Sequence, residues 1–123
     1  MKRILVVDDA ATVRMYHRGI LESAGFVVEE AFNGLEALEK VAASPFDLYI
    51  VDINMPKLDG FGFLRALREK QMVQAPAIIV STEGGLNDEN EALRAGANDY
   101  LIKPIKADQF LLHTRLLIGE VLP

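Results

Sequence analysis

The stretch Leu48-Tyr49-Ile50-Val51-Asp52-Ile53-Asn54-Met55-Pro56-Lys57-Leu58-Asp59-Gly60 runs from four apolar residues to an acid and then into a loop rich in Pro, Asp and Gly. The apolar run does not alternate with polar residues. A strand with one wet face alternates; a strand covered on both faces does not. Leu48–Val51 therefore predicts a short strand inside a covered sheet, with Asp52 just past its carboxyl end.

Working outward, the same unit recurs. Ile4–Val7 and Ala77–Val80 are similar apolar runs. Thr12–Ala24 has helical spacing, with Val13, Tyr16, Ile20, Leu21 and Ala24 on one face and Gly25 as its stop. Phe26–Ala31 is strand-like, and its two glutamates predict a more exposed strand. Gly34–Ala43 reads as a helix through Ala37, Leu38, Val41 and Ala42, ended by Ser44-Pro45. Further helices are predicted near Phe61–Lys70 and near Leu86–Ala95, the second closed by Gly96. Tyr100–Ile102 is a last short strand. The final helix is predicted from Ala107 to Val121, with Phe110, Leu111, Thr114, Leu117, Ile118 and Val121 on one face. Five strand–helix units in succession predict an α/β fold, a parallel sheet with helices on both sides.

The 123 residues suit one domain, residues 1–123. Half the residues are apolar and a quarter charged, which is too apolar for disorder. A net charge of −5 argues against nucleic-acid binding, which needs excess Lys and Arg. With no cysteine, disulfides, thiolate nucleophiles and Cys-based metal sites are excluded. No apolar run exceeds about five residues, far below the ~18 of a membrane span. The opening MKRILVVDD is too short in its apolar part for a signal peptide. The expectation is a cytoplasmic protein without membrane insertion.

In open α/β sheets, ligands bind beyond the carboxyl ends of the strands. The residues that follow the apolar runs are Asp8 and Asp9, Asp52, Ser81, and Lys103 with Pro104. Alone, each has a plain structural reading: Asp9 a helix N-cap, Asp52 a loop opening, Ser81 a turn cap, Lys103-Pro104 a surface turn. Together they place three carboxylates, a hydroxyl and an amine on one edge. Clustered carboxylates repel one another unless a cation joins them. An all-oxygen set favours a hard ion, Mg²⁺ before Ca²⁺. Mg²⁺ takes one or two carboxylates with waters and phosphate oxygens, which points to phosphoryl chemistry with a carboxylate as nucleophile.

These residues resemble the receiver domain of two-component response regulators, with the single-domain chemotaxis (CheY-like) type nearest. The resemblance covers essentially the whole chain. It rests on Asp8-Asp9, Asp52-Ile53-Asn54-Met55-Pro56 with Asp59-Gly60, Ser81, Ala95-Gly96-Ala97 before Tyr100, and Lys103-Pro104. It implies a doubly wound, flavodoxin-like five-stranded parallel sheet in the order 2-1-3-4-5 with five helices, an order for which this family is itself a standard example.

The resemblance also implies roles. Asp52 accepts the phosphoryl group. Asp9 and Asp52 bind Mg²⁺ through carboxylates, Asp8 acts through a bound water, and Asn54 offers its backbone carbonyl. Lys103 pairs with Asp52 and then with the phosphoryl group. Ser81 bonds the phosphoryl group and draws its loop inward, and Tyr100 turns from exposed towards buried. The Lys103-Pro104 bond is expected cis. Asn54 and Glu83, two past Asp52 and Ser81, tune phosphoryl lifetime and resemble the fast-decaying chemotaxis type. Gly84-Gly85 reads as a plain loop or a mobile switch loop. Ala10 and Ala11 are plain helix-start residues or leave the site open to a docking donor helix.

The implied partners are a histidine kinase or histidine phosphotransfer protein and a downstream target on the face of the fourth helix, fifth strand and fifth helix. The chain is expected to be a monomer or weak dimer. It ends soon after the fifth helix, so protein–protein binding is the expected output. Leu112 and Leu116 extend the core-facing stripe or offer a partner contact on that face. His17 and His113 read as structural or surface residues, and Asp88, Glu89 and Glu91 as a solvated face. Chemotaxis is the leading reading; a phosphorelay, a stress-signalling shuttle and a phosphate sink are alternatives. A small Mg²⁺-dependent phosphatase of the haloacid dehalogenase type is the rival enzyme. Its nucleophile normally ends the first strand in D-x-D, whereas Asp52 follows the third run and reads D-x-N, without the second acid.

Overall fold

The computed structural model describes residues 1–82 and 84–120. Strands and helices alternate: β1 (Arg3–Val7), α1 (Ala11–Ser23), β2 (Val27–Ala31), α2 (Gly34–Ala43), β3 (Leu48–Val51), α3 (Gly60–Glu69), β4 (Ala77–Ser81), α4 (Leu86–Ala95), β5 (Asp99–Ile102) and α5 (Ala107–Ile118). The strands form one parallel sheet in the order β2-β1-β3-β4-β5, as the resemblance implied.

Successive residues of a strand point to opposite faces, so each central strand feeds two cores. Leu5, Val7, Tyr49, Val51, Ala77 and Ile79 pack against Ala37 and Val41 of α2, Phe61, Phe63, Leu64 and Leu67 of α3, and Ala92 and Ala95 of α4. Ile4, Val6, Leu48, Ile50, Ile78 and Val80 pack against Leu21 of α1 and Phe110 of α5. Fully burying one such aliphatic side chain contributes roughly 1.5–3 kcal/mol, so the non-alternating runs are what commits the chain to a two-sided sheet. β2 is an edge strand and keeps Val27, Glu29 and Glu30 at least partly in solvent, which is why its sequence carries the two acids.

The structure corrects three expectations. The buried face of α1 carries His17 and Leu21, whereas Tyr16 is half exposed. Helix α5 ends at Ile118 because Gly119 takes a left-handed conformation, φ +85°, and closes it; Val121 lies outside the described residues. Leu112 and Leu116 are exposed rather than core-facing.

Candidate phosphoryl and metal site

Strand register brings the acids together. Val7 pairs with Val51 across β1 and β3, so Asp8 and Asp52 leave the sheet side by side. One carboxylate oxygen each from Asp8, Asp9 and Asp52 lies within 4.8 Å of the others. Asp8 is buried, Asp52 half-buried and Asp9 exposed. The pocket therefore opens to solvent on the Asp9 side.

Asp9 does not cap α1. The N-cap position is Ala10, without a side-chain bond, and Asp8 Oδ1 instead accepts the Ala10 N–H at 2.9 Å. Asp8 Oδ2 accepts from Lys103 Nζ at 2.8 Å. Both oxygens of Asp8 are thus engaged by the protein, leaving Asp9 and Asp52 as the freer acids of the cluster.

Lys103 follows β5 and reaches across the sheet edge to Asp8 and to Asp52 Oδ1, the latter at 3.2 Å. The expected pairing with Asp52 is present, and Lys103 is shared with Asp8, to which its contact is shorter. The Lys103-Pro104 bond is cis. The Lys103 backbone N–H donates to the Ser81 carbonyl at 2.8 Å, tying the end of β5 to the end of β4. Ser81 is buried at the last position of β4. Tyr100 is partly buried against the α2–α3–α4 core.

Electrostatics match this geometry. Asp52 is pushed above the usual carboxylate range, first by burial and then by the neighbouring Asp8 charge, with Lys103 offsetting only part. Burial alone would lower the Lys103 amine, but its hydrogen bond to Asp8 and the charge of Asp52 raise it above its ordinary value, so it is an ammonium at neutral pH. Three carboxylates against one ammonium leave two negative charges to be met. That surplus and the all-oxygen donor set fit a hard divalent cation.

The backbone beneath Asp52 explains the Asp59-Gly60 pair. A Cβ on Gly60 would stand 2.2 Å from the Asp52 carbonyl oxygen. Asp59 Oδ1 caps α3 by accepting the Gly62 N–H at 2.7 Å, and Gly60 N–H donates to the Ile53 carbonyl at 2.8 Å. The loop that follows Asp52 is therefore folded tightly against it.

Residues 4–115 match the family model described as the response regulator receiver domain. The chain belongs to that family. It is 43% identical to the chemotaxis protein CheY of Bacillus subtilis over 110 residues, covering 89% of this chain and 91% of that protein. It is 34% identical to the transcriptional regulatory protein ResD of the same organism, covering 94% of this chain but 48% of that protein. The solved structure of chemotaxis response regulator CheY4 of Vibrio cholerae superposes with a TM-score of 0.89 at 34% identity, over 95% of this chain and 98% of that one. The receiver domain is a signalling domain rather than a classical enzyme, and none of the described helices is long and apolar enough to cross a membrane.

Sequence reasoning missed Arg14 and gave His17 only a structural or surface role. Arg14, on α1, donates to the Asp8 carbonyl at 2.7 Å. His17 lies buried between α1 and α5, its ring 4.9 Å from that of Phe110. Both sit on a helix, where an isolated Arg or His gives no pattern to follow. Glu83 lies outside the described residues.

Proposed function

We propose that this chain is a phosphorylation-controlled switch, in which Asp52 takes a phosphoryl group from a histidine kinase or histidine phosphotransfer protein and a target protein reads the result. The observation that supports this is the shared Lys103: one ammonium held between Asp8 and Asp52 beside a surplus of acid. An Asp52 oxygen attacks phosphorus while the P–N bond to the donor imidazole breaks and the ring nitrogen keeps the electron pair. Lys103 meets the charge on the transferred group, and the Ser81 hydroxyl donates to one of its oxygens. Asp9 and Asp52, with the Asn54 carbonyl, would hold Mg²⁺, and Asp8 would act through a bound water. Bound Mg²⁺ supplies charge neutralisation for the phosphoryl oxygens.

A phosphoryl group adds about −1.5 to −2 charge at neutral pH. That charge draws Ser81 and Lys103 together and shifts a pre-existing equilibrium towards a state with Tyr100 buried. Asn54 and Glu83 set how long the state lasts. The output face combines α4, β5 and α5, where Leu93, Ile102, Leu112 and Leu116 are exposed. Identity to CheY across nine-tenths of that protein supports a chemotaxis role in the cytoplasm, with the chain acting as one receiver domain, a monomer or weak dimer.

The test is intact-protein mass after incubation with acetyl phosphate, with and without Mg²⁺, beside Asp52→Ala. One phosphoryl adduct that requires both Mg²⁺ and Asp52 supports the proposal. No adduct on rapid sampling overturns it.

A further inference from the structure

Among the described residues, Arg14 is a basic side chain that touches the acidic site and takes no part in the proposed phosphoryl transfer. Its Nη1 donates to the backbone carbonyl of Asp8 at 2.7 Å, and its Nε donates to Glu30 Oε1 at 3.1 Å. Glu30 lies on β2 and also accepts from Arg18 Nη1 at 2.6 Å. Lys40 donates to the Glu30 backbone carbonyl. Glu30 is thereby held from three sides and falls below the usual carboxylate range, since the bonds to Arg18 and Arg14 outweigh its burial.

The Asp8 carbonyl belongs to the peptide unit that joins Asp8 to Asp9. That unit is planar, so fixing its oxygen also fixes the nitrogen and Cα of Asp9. Asp9 is exposed, so little but its backbone position restricts its carboxylate, one oxygen of which lies within 4.8 Å of those of Asp8 and Asp52. We propose that Arg14 is a positioning residue for the divalent-cation site: it locks the Asp8–Asp9 peptide so that the Asp9 carboxylate faces Asp52, and Glu30 orients Arg14 to do so. This rests on the reading of the acid cluster as a cation site. Arg14 acts through geometry: its Nε is turned to Glu30, a carboxylate it shares with Arg18, while its Nη1 holds the Asp8 carbonyl. The planar guanidinium presents Nε to Glu30 and Nη1 to the Asp8 carbonyl in one fixed fork, a geometry that a single ammonium nitrogen does not reproduce.

Geometry and charge predict opposite signs. Removing a cation near an acidic site by charge alone tightens divalent binding. Losing the lock weakens it. The experiment titrates MgCl₂ into the unphosphorylated full chain, followed by amide NMR shifts, for wild type, Arg14→Met, Arg14→Ala and Glu30→Gln, with melting temperatures in EDTA alongside. Arg14→Met is expected to weaken Mg²⁺ binding about tenfold, the lower end of the effect of removing a residue that supports a ligand from behind. Glu30→Gln weakens binding by charge and by geometry alike, so Arg14→Ala, which also removes the cation and both its bonds, decides the matter if Arg14→Met does not fold. An unchanged or tighter affinity in Arg14→Met, with wild type binding Mg²⁺, overturns the proposal and leaves the cation-site reading standing. A wild-type chain that binds no Mg²⁺ overturns both.

Discussion

Lys103 stands 2.8 Å from Asp8 and 3.2 Å from Asp52, so its shorter hydrogen bond goes to the buried acid that the protein already engages on its other oxygen. Asp8 thus holds the ammonium in readiness beside Asp52. Lys103→Met leaves Asp8, only 4% exposed in its side chain, without its cation. Breaking a buried pair is expensive because the remaining charge is uncompensated. In this partly open pocket the expected loss is about 2 kcal/mol in EDTA, with Mg²⁺ recovering most of it. Urea denaturation with and without Mg²⁺ checks this. Equal stability of Lys103→Met and wild type in EDTA would show that the pair is not holding the acids.

Asp52→Asn should make the protein more stable while abolishing phosphorylation. The Asp52 pKa is raised in the folded chain. A group raised on folding favours the native state below its unfolded value near 3.9 and opposes it once pH rises through the folded value. At neutral pH the ionised carboxylate therefore works against folding, and the amide removes that opposition. The melting temperature of Asp52→Asn is expected above wild type at pH 7 in EDTA, with the gap closing below pH 4. Mg²⁺ should narrow the gap at pH 7 by stabilising wild type preferentially. A variant that melts lower at pH 7 contradicts the assigned burial and repulsion.

Gly60 is expected to tolerate no side chain, even one methyl group. Its Cβ would overlap the Asp52 carbonyl oxygen at 2.2 Å, and backbone cannot swing aside as a flexible side chain does. Overpacking of this kind costs about 1–3 kcal/mol and here displaces Asp52 itself. Gly60→Ala should lower the urea midpoint and slow acetyl phosphate labelling of Asp52. Gly119→Ala makes a useful comparison: it meets no atom within 4 Å, so it should lose stability through its left-handed backbone but label normally.

Most of the framework was legible because burial on both faces leaves an unbroken apolar run. Leu48–Val51, Gly34–Ala43 and Leu86–Ala95 have the predicted boundaries, the helices because Ser44-Pro45 and Gly96 punctuate them. Asp8, Asp9, Asp52 and Lys103 were legible because each follows a strand, and strand ends converge. Ser81 was placed after β4 and proves to be its last residue. What escaped depends on contacts between elements. The Arg14–Asp8 bond needs the angle of α1 against the sheet. The burial of His17 in place of Tyr16 needs the position of α5, whose Phe110 takes the histidine ring. Gly119 was available as a stop, but the apolar spacing continued past it to Val121 and masked the signal.

His17 links the core between α1 and α5 to the acidic site and sets an acid limit on stability. Folding lowers its pKa from 6.5 to about 4, chiefly by burial, next by the charge of Lys103, with Asp8 opposing. Between those values the unfolded chain binds a proton that the folded chain refuses. The histidine's contribution is therefore complete above pH 6.5, falls as pH drops and levels off near pH 4. Over that window the loss amounts to about 3 kcal/mol. His17→Leu keeps an apolar side chain against Phe110 and removes the titration, so its stability should fall less steeply than wild type between pH 7 and pH 4.5. Denaturant midpoints across that range, read beside the NMR titration of the His17 ring, decide it: parallel curves for the two proteins, or a ring that protonates near 6.5, would mean that the pocket does not hold the imidazole neutral.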